Sequence, residues 1–357
     1  MVWYKGKMSR GLDGVSADKG RELYMKTIIH DDGMRGMGGN RTLTIGDLGS
    51  GKTTLGLETV PKICYVPYMK KEDWFKAPDP NERFPETVVW RGRKRDYWNL
   101  FTEKNYKKSF PGELWKPLKV LYSDKDDLAF FEEVNGEPEK IKDVDIYQYK
   151  DMDDLYNHIV KGGINVIYPP KEYYLPQMLK KILNEIQMLE QCDKRYIGED
   201  DEVHVPNFVF WYEMFYYLIE IDKNYDRVSE NYKNLRWFTF IFDEAHQIFP
   251  VAKAPIWHLV DHFAEHEMID TRRVNISIWA QVHETAYVYW KVLNRFGVYI
   301  WLPGAKANRT LSVIQQSLIN QLPIGTGIIE KKGGRFGKLV FPRIKSQPSV
   351  LTVTGYD

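Results

Sequence analysis

Cysteine is nearly absent: Cys64 and Cys192 are the only two among 357 residues. Two thiols without metal-ligand spacing rule out a disulfide framework and a cysteine-built zinc site, and they fit a reducing, cytoplasmic setting. Net charge is equally scarce, with 50 basic residues against 49 acidic ones. No global field therefore draws polyanions to the chain, so any nucleic-acid contact has to be local. Long apolar runs are missing too. A spanning helix needs about 20 apolar residues, whereas the nearest stretch, 208–221, is shorter and carries Glu213 and Glu220. The opening MVWYKGK lacks the apolar centre of a signal peptide, and a cytoplasmic protein without a membrane segment is expected.

What is present suits an ordered α/β protein. Hydrophobic residues make up 43% and charged residues 28%, enough to bury a core and too apolar for a disordered chain. Alternating or apolar runs at Arg41–Ile45, Thr87–Trp90, Lys119–Tyr122, Val144–Tyr149, Ile164–Tyr168 and Trp237–Phe242 read as strands. So do Val274–Trp279 and Gly297–Trp301. Helical spacing predicts helices over Asp151–Val160, 173–191, 208–221, 255–268 and 284–294. Strands alternating with helices point to a mainly parallel sheet. Residues Gly325–Phe341 read as a closing hairpin that turns at Gly333-Gly334.

Two motifs carry chemistry. Gly46-Asp47-Leu48-Gly49-Ser50-Gly51-Lys52-Thr53, followed by Thr54, satisfies G-x-x-x-x-G-K-[ST] between a strand and a helix. Glycines let successive amides turn toward phosphate oxygens, and the helix N-terminus adds partial positive charge. Lys52 is expected to reach the β and γ phosphates of ATP, and the Thr53 hydroxyl to ligate Mg2+. The second motif is an apolar strand ending in Asp243-Glu244, the form of a Walker B element. It would bring Asp243 to the magnesium ion and Glu244 to the attacking water. Gln281, read as ending the next strand, is a neutral candidate for sensing the γ-phosphate. Arg272, Arg273 and Arg309 are candidates for the arginine that offsets transition-state charge, often supplied by a neighbouring subunit.

On these residues the chain resembles the HerA/FtsK superfamily of DNA-pumping ATPases. The likeness rests on Gly46–Thr53, on Asp243-Glu-Ala-His-Gln-Ile-Phe-Pro250 and on Gln281, with weaker echoes in Asn308-Arg-Thr-Leu311 and the 325–341 hairpin. It covers about 41–60 and 237–342 and leaves the middle unmatched. The resemblance implies a RecA-like core, a homohexameric ring and ATP-driven movement of double-stranded DNA. Morphogenesis ATPases related to zonula occludens toxin share the Walker B style, which keeps a protein-directed machine open, as well as a nucleotide-binding switch. Superfamily 2 helicases also carry Asp-Glu-Ala-His, but they need a second RecA-like domain that the stretch after His246 is too short to supply.

The expected layout is an arm over 1–40, a RecA-like ATPase core over 41–342 with an insertion at about 65–160, and a tail over 343–357. Inside the unmatched region, Trp90-Arg91-Gly-Arg93-Lys94-Arg95-Asp-Tyr-Trp98 sets four basic residues among three aromatics. That composition suits a DNA grip through phosphate contact and base packing, and equally suits a solvated loop with its aromatics in the core.

Overall fold

The computed structural model describes residues 12–29, 39–63, 66–67, 83–84, 86–113, 115–142, 144–174, 176–185, 205–224, 238–251, 256–341 and 349–356. Helices among them are α1 (Ala17–Thr27), α2 (Lys52–Ile63), α3 (Glu103–Ser109), α4 (Met152–His158), α5 (Gln177–Glu185), α6 (Val205–Asn224), α7 (Ile256–Glu265), α8 (Glu267–Arg273), α9 (Trp290–Arg295) and α10 (Gln316–Ile319). Strands are β1 (Arg41–Ile45), β2 (Val66–Pro67), β3 (Arg83–Phe84), β4 (Thr87–Arg91), β5 (Arg95–Asp96), β6 (Leu118–Ser123), β7 (Ala129–Val134), β8 (Glu137–Lys140), β9 (Asp145–Tyr149), β10 (Ile164–Tyr168), β11 (Phe238–Phe242), β12 (Ile276–Val282), β13 (Val298–Trp301), β14 (Thr326–Lys331), β15 (Arg335–Val340) and β16 (Leu351–Thr354).

Ten strands form the main sheet in the order β15-β14-β13-β1-β12-β11-β4-β10-β6-β9. From β13 to β9 every neighbouring pair is parallel, and the β14–β15 hairpin adds two antiparallel strands beside β13. The central strands are near-continuous apolar runs because both faces are covered. Their side chains alternate between two cores. Phe240 and Phe242 of β11 enter the core shared with α6, while Ile241 enters the opposite one with Trp90, Trp279 and Leu55 of α2. The aromatic helix α6 is thus core: the Trp211 ring lies 6.1 Å from Phe240 and 5.0 Å from Phe242, edge to face.

Several expectations shift. The 65–160 segment is divided: β4, β6 and β9 extend the main sheet, while β5, β7 and β8 belong to a smaller one. What stands apart is a four-stranded sheet, β5-β16-β7-β8. Its β16 comes from the expected tail, whose apolar Leu351 and Val353 are buried. Within the expected arm, α1 docks on β15: a Cβ on Gly20 would fall on the Lys338 carbonyl, and one on Gly337 would meet the Gly20 backbone. Such a close approach requires glycine at both positions. The single helix read over 255–268 breaks at His266 into α7 and α8. The 173–191 helix is α5 over its first part, and its remainder lies outside the described residues, as do Cys64 and Cys192. No described helix is long and apolar enough to cross a membrane.

Candidate nucleotide site

Parallel strands deliver their C-terminal ends to one edge of the sheet, where open α/β folds bind ligands. There β1 runs into the glycine loop, β11 into Asp243-Glu244, β12 into His283 and β4 into Arg91–Arg93. The loop is built for close backbone turns: Gly49 and Gly51 have φ of 72° and 96°, the left-handed region that glycine enters freely. A Cβ on Gly46 would strike Ser50 Oγ and Leu302. The Asp47 amide donates to the Pro303 carbonyl at 3.2 Å, tying the loop to the segment after β13.

Lys52 is buried at the start of α2 and folds back into the loop. Its ammonium donates to the carbonyls of Gly46 at 2.7 Å and Asp47 at 3.0 Å, and lies 3.0 Å from His283 Nδ1. Burial lowers its pKa from the ordinary lysine value, against the nearby charges of Asp243, Glu244 and Asp47. Ser50 Oγ is buried without a hydrogen-bond partner among the described residues. Leu48 projects outward, 85% exposed. Asp47 and Gly49 are exposed as well, and Thr53 and Thr54 are half-buried on the first turn of α2.

Asp243 is buried at the end of β11. Its Oδ2 forms an ion pair with Arg93 Nη2 at 2.8 Å, and its Oδ1 accepts from the Glu244 amide at 3.0 Å. Glu244 adopts the left-handed conformation, φ 57° and ψ 51°. Strain of this kind in a non-glycine residue gathers at functional sites. Its carboxylate lies between two imidazoles, with Oε1 3.3 Å from His283 Nε2 and Oε2 3.3 Å from His246 Nδ1.

The basic loop is the clearest departure from the sequence reading. Arg91 is buried and donates to the Asp243 carbonyl at 3.1 Å and to Gln247 Oε1 at 2.5 Å. Arg93 sits on the Asp243 carboxylate. Because β4 lies next to β11 in the sheet, both arginines are engaged by the segment that begins at Asp243 instead of standing free on a loop. Burial lowers the Arg91 pKa. Burial also works against the charge on Arg93, but Asp243, Asp96 and Glu244 outweigh it and hold the guanidinium charged. Lys94 and Arg95 stay exposed.

Gln281 does not end its strand. Hydrogen bonding to β1 carries β12 through Val282, so Gln281 pairs with Thr44 inside the sheet. Its side chain is 1% exposed, and neither amide atom has a partner among the described residues. Leaving such a group unpaired costs roughly 1–3 kcal/mol. It lies beneath α2, where a Cβ on Gly56 would come 2.9 Å from its Nε2. The residue at the strand tip is His283, which sequence reasoning missed; its only signal was its position two residues past Gln281. Arg272 and Arg273 are exposed on α8, which leads into β12 at the opposite edge of the sheet. Arg273 pairs with Asp270 at 3.0 Å. Arg309 is exposed in the segment after β13, on the nucleotide edge.

A parallel order β13-β1-β12-β11-β4, with a glycine loop after β1 and an acid pair two strands away after β11, defines the RecA-like P-loop NTPase fold. Among solved structures the chain is similar to the genome-packaging NTPase B204 of Sulfolobus turreted icosahedral virus 2 in complex with ATP-gammaS. That match has 10% identity and a TM-score of 0.35, covering 86% of this chain and 98% of that one. It is also similar to ATPases 2 and 3 of EssC from Geobacillus thermodenitrificans, at 10% identity and a TM-score of 0.35. That match covers 88% of this chain and 40% of the other. A third likeness is to the N-terminal domain of zonular occludens toxin from Neisseria meningitidis, at 9% identity and a TM-score of 0.28, covering 86% and 95%. No family model and no curated protein matches the chain.

Proposed function

We propose that this protein is a magnesium-dependent ATPase, a ring-forming motor of the HerA/FtsK type that acts on duplex DNA. The hydrolase reading is carried by Glu244: an acid directly after the buried Asp243, oriented by two imidazoles 3.3 Å away and facing Lys52 across His283. In this reading the loop amides of Gly46–Thr53 and the Lys52 ammonium bind the phosphates, and Glu244 takes the proton of the attacking water. The unpartnered Ser50 hydroxyl and Gln281 amide fit a site that gains polar partners when nucleotide binds.

The donor set also suits a magnesium ion. Thr53 and Asp243 offer the oxygen ligands such an ion takes, and the ion pair of Asp243 with Arg93 supports reading this carboxylate as ionised and open to a cation. Bound there, the ion would screen the charge of the transferring phosphoryl group. An arginine from a neighbouring subunit would complete the site, and Arg272, Arg273 and Arg309 are all exposed to serve.

DNA as the substrate rests on the resemblance of the 243–250 segment and Gln281. A motor working on protein partners is the second reading, favoured by the burial of Arg91 and by the ion pair that ties the half-buried Arg93 to Asp243, which leaves Lys94 and Arg95 as the exposed basic residues of that loop. ATP hydrolysis measured with increasing duplex DNA separates the two. A rise of several-fold that weakens with added salt supports the DNA motor, whereas a rate indifferent to DNA favours the protein-directed machine. Loss of any oligomer in solution would leave a nucleotide-binding switch.

A further inference from the structure

We propose that His283 is a nucleotide-operated latch, a positioning residue that ties Glu244 to Lys52 until phosphate enters the loop. The inference rests on the nucleotide-binding reading above. An ammonium group has three donors and no acceptor. All three of Lys52 are spent on protein: two on the carbonyls of Gly46 and Asp47, the third on His283 Nδ1. Since Lys52 can only donate, Nδ1 must accept, and a neutral imidazole then carries its proton on Nε2. That nitrogen lies 3.3 Å from Glu244 Oε1, so the proton-bearing side of the ring is the one set beside the carboxylate. Lys52 therefore fixes the tautomer through which His283 holds the carboxylate.

The backbone fixes this bridge in place. Strand β12 stays paired with β1 through Val282, and the Gly46 amide donates to the Val282 carbonyl at 3.2 Å. His283 is thereby pinned beside the first glycine of the loop. Lys52 cannot reach a phosphate and keep all three present acceptors. When it leaves Nδ1, the imidazole loses the donor that set its tautomer, and Glu244 keeps only His246 as a fixed neighbour. One carboxylate oxygen is then released to accept from water. Occupancy of the loop is reported to Glu244 through a single side chain, and an empty site holds its base in check.

The test uses the full chain and a slowly hydrolysed ATP analogue with Mg2+. Nitrogen-15 spectra of labelled histidines, with His283 assigned from its loss in His283→Gln, should show an Nε2-protonated ring without nucleotide and a changed Nδ1 signal once the analogue binds. Lys52→Ala should produce the changed signal with no nucleotide present. His283→Ala frees Lys52 and should bind the analogue about two- to tenfold tighter, the worth of one hydrogen bond. His283→Gln keeps an acceptor and a donor and should stay near the parent value. An unchanged Nδ1 signal on saturation, or equal or weaker binding by His283→Ala, overturns the latch alone. No binding of the analogue by the parent chain overturns the nucleotide reading and the latch with it.

Discussion

Charge at the sheet edge is balanced residue by residue. Arg93 lies among Asp243, Asp96 and Glu244, and of these Asp96 is the most deeply placed, with no exposed surface. Burial pushes its carboxyl up to about 6, against the opposing pull of Arg93 and the Tyr97 amide. One of its oxygens has no hydrogen-bond partner among the described residues. A carboxyl harder to ionise in the folded chain than in the unfolded one adds no penalty at low pH. It costs stability progressively from about pH 4, in full above about 6. Asp96→Asn keeps the oxygen that accepts from Tyr97 at 2.8 Å and removes the charge. It is expected to stabilise the protein by roughly 2–3 kcal/mol at pH 7.5, with the gain gone at pH 4. Urea unfolding at the two pH values measures this, and an equal gain at both would refute the cause assigned here.

At the scale of elements, the docking of α1 on β15 turns on two glycines that face each other backbone to backbone. On an exposed helix a glycine-to-alanine change gains about 1 kcal/mol. At Gly20 the added methyl meets the Lys338 carbonyl, a backbone atom that cannot rotate away. Gly20→Ala should therefore cost roughly 1–3 kcal/mol, the range of overpacked cores. It should also speed proteolysis within 17–27 before the rest of the chain is cut. A variant with a raised melting temperature would show that α1 does not pack as described.

Local pattern made the elements legible where it was strong. The glycine loop, the Asp243-Glu244 strand and the 325–341 hairpin were read from neighbouring residues, and the hairpin turns at Gly333 and Gly334 with φ of 106° and 93°. What sequence could not disclose lies in contacts between distant segments. Arg91 meets the Asp243 carbonyl across 152 positions, and Lys52 meets His283 across 231. In a list of residues, Trp90–Trp98 is a basic aromatic loop. Only the adjacency of β4 and β11 turns two of its arginines into the nucleotide site. The extent of β12 was missed for the same reason, because hydrogen bonding to β1 decides where it ends.

For the whole molecule, the sheet divides the surface into two edges with different roles. The carboxyl edge gathers the loop, the acid pair, His283 and Arg309, while Arg272 and Arg273 lie at the other. The formal charge of +1 gives no global attraction for DNA, so a DNA-directed motor has to place its contacts on a limited part of the surface. All of this presupposes that the edge hydrolyses ATP. The most direct measurement is magnesium-dependent phosphate release from ATP by the parent chain and by Glu244→Gln, with nucleotide binding followed in parallel. The account predicts steady release by the parent, a fall of about a hundredfold or more in the variant, the scale of a lost general base, and retained binding. Equal release by both proteins, or none from a parent chain that binds ATP, would contradict it.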